Sequence, residues 1–190
     1  MSPKKILVLK GSPREKGNSS ILADQVVAGA KAAGAEVESF VLQNMHIEPC
    51  TACEACHEEP GNLCNIEDDM QMLYPKLIAA DAIVVATPIY WFAVSAQAKL
   101  CIDRWYALET PQGSKLTGKQ FAFVLVYGDS DLFTSGGINA IHSFQDMCRY
   151  LKAPIAGFVY GSANEAGDIL KQSDLLEKAR KLGQKLAGVS

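Results

Sequence analysis

The sequence predicts an α/β fold: a doubly wound, five-stranded parallel sheet with helices on both faces. Two observations carry this expectation. Five strand-length segments alternate with helix-period segments along all 190 residues, which is the pattern of repeated βα units joined by right-handed crossovers. Three of the five are continuous apolar runs, as expected of strands covered on both faces. No repeat, low-complexity tract or linker interrupts the pattern, so residues 1–190 read as one domain.

The elements follow in order. Lys5-Ile6-Leu7-Val8-Leu9-Lys10 is a buried strand ended by Gly11 and Pro13. A helix over residues 21–33 follows, with Asn18, Ser19 or Ser20 as its cap. Residues 36–42 alternate as an edge strand does. A cysteine-rich loop at about 48–66 precedes a helix over about 68–80, which Asp68 and Asp69 favour by charge at its start. Residues 82–87 form an apolar strand stopped by Pro88. Val94, Ala98, Cys101, Ile102 and Trp105 then mark the buried stripe of the next helix. A strand over 121–127, a loop from Gly128 to Gly137 and a helix over about 138–151 come next. The strand over 155–160 and the helix over 174–186 close the series.

In such sheets ligands sit beyond the carboxyl ends of the strands. The first such loop, Gly11-Ser12-Pro13-Arg14-Glu15-Lys16-Gly17-Asn18-Ser19-Ser20, delivers hydroxyls, an arginine and free N–H groups to a helix N-terminus, where a phosphate is best held. Two common phosphate loops fail on spacing. Gly11 and Gly17 have five residues between them and Asn18 stands where a nucleoside-triphosphate loop needs lysine, and G-x-G-x-x-G is absent. A hydroxyl-rich loop of this kind suits a terminal phosphomonoester such as that of FMN. The second loop, Pro88-Ile89-Tyr90-Trp91-Phe92, can lay backbone N–H groups along a flavin edge and a ring against its face; the alternative is that its aromatics pack on a partner subunit or the core. The third, with Gly128, Gly136 and Gly137, lets backbone approach a ring closely.

Gly11-Ser12-Pro13-Arg14 with Gly17-Asn18-Ser19, Pro88-Ile89-Tyr90-Trp91, and Ser95-Ala96-Gln97-Ala98-Lys99 to Asp103-Arg104 together resemble the NADPH-dependent FMN reductases, flavodoxin-like proteins, over essentially the whole chain. The cysteine block with Asp68-Asp69-Met70 resembles the iron–sulfur flavoprotein branch. The resemblance implies sheet order 2-1-3-4-5, phosphate on Ser12, Arg14, Asn18, Ser19 and Ser20, and ribityl chain and ring against Pro88 to Trp91, with Phe92, Gly128, Gly136 and Gly137 completing the flavin site. It also implies a homodimer or homotetramer. Lys99, Asp103 and Arg104 read either as ligand contacts or as structural ion pairs.

Cys50, Cys53, Cys56 and Cys64 follow the spacing C-x2-C-x2-C-x7-C. Spacing of three can converge thiolates around one cubane, with Pro60-Gly61 turning Cys64 back. The iron–sulfur flavoprotein branch implies that these four hold a [4Fe-4S] cluster. Free thiols and a zinc site are the other readings. Cys101 and Cys148 are expected in the core, and His57 is expected as a solvated loop residue.

The function expected is an FMN-dependent NAD(P)H oxidoreductase passing hydride through FMN to a small acceptor such as a quinone or flavin. No catalytic side chain is expected, since FMN carries the chemistry. One open face shared by NAD(P)H and acceptor predicts ping-pong kinetics. The alternative is an electron-transfer protein coupling FMN to a [4Fe-4S] cluster and a ferredoxin-like partner. A net charge of −3 and pI near 5.6 argue against nucleic acid. No apolar run reaches membrane-spanning length and residues 1–10 do not read as a secretory signal, so a cytoplasmic protein without membrane contact is expected.

Overall fold

The computed structural model describes residues 2–59 and 61–189; Pro60, half of the turn expected at 60–61, lies outside them. The strands are β1 (Lys5–Lys10), β2 (Glu36–Val41), β3 (Ala82–Tyr90), β4 (Ala93–Val94), β5 (Gln120–Tyr127) and β6 (Ile155–Ser162). Five of them pair in parallel in the order β2-β1-β3-β5-β6, while the two-residue β4 folds back antiparallel on the end of β3. With β4 set aside, this is the expected order 2-1-3-4-5. No helix among the described residues is long and apolar enough to cross a membrane.

The period-two alternation of each strand decides which helices it meets. Ile6, Val8, Val84, Ala86, Ala122 and Val124 face one layer, formed by α1 (Asn18–Ala32) and α5 (Ser173–Leu186). Leu7, Leu9, Ile83, Val85, Phe121 and Phe123 face the other, covered by α2 (Met70–Ala79), α3 (Ala96–Asp103) and α4 (Gly137–Tyr150). The second face carries the bulk: Phe123 stacks on Phe144 at 4.1 Å and on Phe158 at 5.1 Å between ring centroids. The first is lined by small side chains, which lets α1 and α5 lie close to the sheet and to each other. Their crossing is backbone on backbone. A Cβ on Gly29 would stand 1.9 Å from the Arg180 carbonyl oxygen, and one on Gly183 2.0 Å from that of Val26.

Two local expectations need correction. The cap of α1 is Gly17, in extended conformation and without a side-chain cap bond. Asn18, Ser19 and Ser20 form the first helical turn, and the Asn18 side chain is committed elsewhere. Nor does Pro88 stop β3, which runs on to Tyr90. The Ala86 carbonyl accepts from Gly11 N–H at 2.7 Å; residues two apart direct their polar groups to the same side, so the Pro88 nitrogen also faces the β1 side. The β1 pairing with β3 ends at Lys10 and Ala86, so no ladder bond is lost there.

The helix crossing yields a direct expectation. Gly183→Ala lowers stability by about 1–3 kcal/mol through forced separation of α1 and α5; chemical denaturation measures it, and an unchanged midpoint and slope would remove the crossing as a constraint.

Candidate functional site

The carboxyl ends of β1, β3, β5 and β6 open onto one cleft. Its deeper part is a cavity of about 240 Å³ lined by Ser12, Arg14, Gly17, Asn18 and Ser19, by Pro88, Ile89 and Tyr90, by Val126, Tyr127 and Gly128, and by Ala163 and Asn164. A shallower part of about 310 Å³ shares Ile89 and Gly128 with it and is walled by Trp91, Phe92, Asp129, Thr134 and Ser135. Of the residues expected here, Ser20 is buried in the same turn of α1 without lining the cavity, Gly136 lies behind Phe92 at the start of α4, and Gly137 faces Leu132 and Ser135. The loop after β6 was not anticipated as a wall. Ala163-Asn164 carries no motif; only its position after a parallel strand pointed to it.

The first loop is built as an anion cradle. Ser12 Oγ accepts from Arg14 N–H at 3.1 Å, closing a tight turn. Gly17 sits so close that a Cβ there would come within 2.1 Å of Ser12 Oγ. The N–H groups of the first turn of α1 have no intrahelical acceptor, and Ile21 N–H is the first to reach one, the Gly17 carbonyl at 3.0 Å. That turn contains no acidic residue, so its positive dipole end is uncompensated. Ser19 Oγ, on the cavity wall, is buried with no hydrogen-bond partner. A buried hydroxyl left unpaired costs about 1–3 kcal/mol, and a phosphate oxygen in the cradle is the acceptor it lacks. These residues fit a phosphomonoester.

Two other members of the loop are tied to the segment after β6. Arg14 Nη1 donates to the Asn164 carbonyl at 3.1 Å. Asn18 donates from Nδ2 to the Glu165 carbonyl at 2.8 Å and accepts at Oδ1 from the N–H groups of Gly167 at 2.9 Å and Ile169 at 3.3 Å. The Asn18 side chain is thus a clamp, leaving its backbone N–H to face the cradle.

The second loop is a hairpin. Trp91 and Phe92 occupy its two central positions with φ of 47° and 64°, the left-handed pair that a two-residue turn needs and that Asn-Gly usually supplies. Trp91 is 93% exposed. Phe92 packs instead on the third loop: a Cβ on Gly136 would meet Phe92 Cβ at 2.5 Å, and Asn139 Nδ2 donates to the Phe92 carbonyl at 3.2 Å. Behind the hairpin a buried hydroxyl pair joins three elements. Ser95 Oγ donates to the Gly11 carbonyl at 2.7 Å and caps α3 by accepting from Ala98 N–H, while Ser95 N–H donates to Thr87 Oγ1 at 3.0 Å.

The cysteine segment lies on the other side of α3. Arg104 and Asp68 form an ion pair with 1% and 0% side-chain exposure. The guanidinium also donates to the Glu48 carbonyl at 2.7 Å and to Cys64 Sγ at 3.3 Å, and Asp68 accepts from the N–H groups of Glu48 and Met70, both at 2.9 Å. Arg104 is therefore the structural ion pair of the two readings, and Lys99 with Asp103 forms an exposed pair at 2.5 Å. Cys50 and Cys53 are exposed, Cys56 and Cys64 half-buried. Among the described residues no three His, Cys, Asp or Glu side chains are gathered to hold a metal, so the four sulfurs as placed here do not fit a cubane or zinc. Cys101 and Cys148 are core residues whose thiols burial pushes up to about 12. His57 is exposed as expected, with its ring edge-on to Tyr106 at 4.5 Å.

Burial disfavours ionised Asp68, but the Arg104 guanidinium and the N–H groups of Glu48 and Met70 outweigh it and hold its carboxyl below the usual carboxylate range. A depressed folded pKa contributes stability above the unfolded value of about 4, lost as pH falls through the folded one. Asp68→Asn is expected to lose about 3–5 kcal/mol at neutral pH and to flatten the fall in stability below pH about 4. Denaturation curves at pH 7 and pH 3 check both, and equal losses at the two pH values would count against the pair.

Residues 4–168 match the family described as NADPH-dependent FMN reductase. A Bacillus subtilis (strain 168) protein with the provisional name NAD(P)H-dependent FMN-containing oxidoreductase YwqN is 31% identical over 183 residues, covering 94% of this chain and 96% of that protein. Iron-sulfur flavoprotein MJ1083 of Methanocaldococcus jannaschii is 31% identical over 190 residues, covering 97% of this chain and 96% of that protein. In fold the chain is similar to an NAD(P)H:quinone oxidoreductase from Methanothermobacter marburgensis, with TM-score 0.75, 21% identity and coverage of 97% of this chain and 98% of that one. By sequence across nearly its full length, the chain belongs to the NADPH-dependent FMN reductase family.

Proposed function

We infer that the cleft holds FMN with its phosphate on the first loop and its ring toward the hairpin, and that the protein is an FMN-dependent NAD(P)H oxidoreductase acting on a small acceptor. The observation that carries this is the cradle: an orphaned Ser19 hydroxyl beside the uncompensated N-terminus of α1. FMN, when bound, supplies a ring that takes hydride from a nicotinamide and gives electrons to an acceptor.

The chain's own residues bind and orient. The Ser12 and Ser19 hydroxyls and the first-turn N–H groups of α1 donate to phosphate oxygens, and the Arg14 guanidinium neutralises their charge. Ser20 supplies its backbone N–H in that turn. Pro88 to Phe92 place backbone and aromatic surface along the ring half, and Gly128 keeps the facing wall free of a side chain. Gly136 serves by seating Phe92, and Gly137 by letting the start of α4 pack on Leu132 and Ser135. Reductant and acceptor take the one open face in turn. The bare Trp91 suits a homodimer or homotetramer that covers it.

A second reading has one feature in its favour. The cysteine spacing and the iron–sulfur flavoprotein name of the Methanocaldococcus relative suit an electron-transfer protein with a [4Fe-4S] cluster and a ferredoxin-like partner. Iron and acid-labile sulfide in anaerobically prepared protein would bring that reading forward; their absence would leave the cysteines as thiols.

The anaerobic spectrum is expected to show flavin bands that bleach with NADPH. Replacing both Arg14 and Ser19 with alanine weakens FMN binding at least about tenfold, the loss of one or two charge-assisted bonds. Unchanged affinity in that variant would remove the phosphate assignment.

A further inference from the structure

The two parts of the cleft differ in charge. Among the described residues Arg14 is the only basic one lining either part, and it sits at the cradle end, tied to the Asn164 carbonyl. The outer part has one charged residue, Asp129, beside the bare Trp91, Phe92 and two small hydroxyl residues, Thr134 and Ser135. Asp129 is held in place from both directions. Its carboxylate accepts from Ser130 N–H at 2.6 Å, and its carbonyl accepts from Ser162 Oγ at 2.5 Å across to β6. The same loop carries a second carboxylate, Asp131, which accepts from the N–H groups of Phe133 and Thr134 at 2.7 and 3.0 Å and from Thr134 Oγ1 at 2.9 Å.

We propose that this outer cleft selects its electron acceptor by charge: planar aromatic acceptors that are neutral or cationic are taken, those with an anionic group on the ring are rejected, and Asp129 is the residue that sets the preference. The proposal rests on the placement of the flavin ring argued above. Flat aromatic walls favour stacking of any planar ring. Discrimination then falls to the one fixed charge, because a carboxylate within several ångströms of an anion repels it and no base lines this part of the cleft to compensate. A nicotinamide escapes the same penalty, since its phosphates lie several bonds away from the reacting ring.

The test compares 1,4-naphthoquinone with its 2-sulfonate on the FMN-supplemented protein, by quenching of tryptophan fluorescence and by kcat/KM. The sulfonate is expected to bind about tenfold more weakly than the parent. In Asp129→Asn, where the amide oxygen can still accept from Ser130, that gap narrows at least about threefold; it narrows likewise in wild type at high salt. A gap that is the same in Asp129→Asn and insensitive to salt would overturn the proposal. The flavin content of the same sample is read separately from its spectrum. Protein that takes up no FMN sinks the placement of the cofactor, while the quenching titration still decides for or against charge selection at the aromatic cleft.

Discussion

The cleft depends on one buried pair of hydroxyls. Ser95 and Thr87 are both fully shielded from solvent, and through them the end of β1, the end of β3 and the start of α3 are held in a single hydrogen-bonded knot. Ser95 Oγ satisfies two groups that the fold would otherwise strand, the Gly11 carbonyl past the last rung of β1 and the Ala98 N–H in the first turn of α3, while Thr87 Oγ1 accepts from Ser95 N–H. Gly11 takes part by having no side chain, since a Cβ there would press to 2.9 Å on both Ala98 and Ser95. The cradle and the aromatic hairpin are therefore two sides of one joint, and neither can shift without the other.

A second anchor of different character holds the cysteine segment. The guanidinium of Arg104 and the carboxylate of Asp68 are both out of water, and their remaining polar groups are largely spent on residues 48, 64 and 70. Such an arrangement adds little net stability over an apolar equivalent but makes any alternative placement costly. It specifies where the chain between β2 and α2 runs. The aromatic cleft and the cysteine segment thus meet α3 from different directions, one at its first turn and the other just past its last.

Much of this was legible in the sequence because it was written in local patterns. The apolar runs at 5–10, 82–87 and 121–127 and the stripe Ala98, Cys101, Trp105 fall where they were read, since burial on both faces leaves little choice of residue. What escaped depended on neighbours distant in the chain. Pro88 reads as a terminator unless one knows that β1 has already ended beside it. Asn18 reads as a cap, yet its amide is taken by residues 165–169. The Arg104–Asp68 pair spans 36 positions with no spacing rule to announce it. Ala163 and Asn164 line the cavity without any motif that would mark them.

The crossing of α1 and α5 has a consequence for how the site comes into being. The cradle is synthesised well before α5, yet α1, the helix that carries it, packs backbone to backbone on α5. The segment that occupies Arg14 and Asn18 is equally late. A nascent chain therefore holds the first-loop sequence without its support until α5 has emerged, and the built loop belongs to a chain that includes α5. Loss of α5 would strip the support from the first loop, far from it in the chain, leaving the loop's own residues intact.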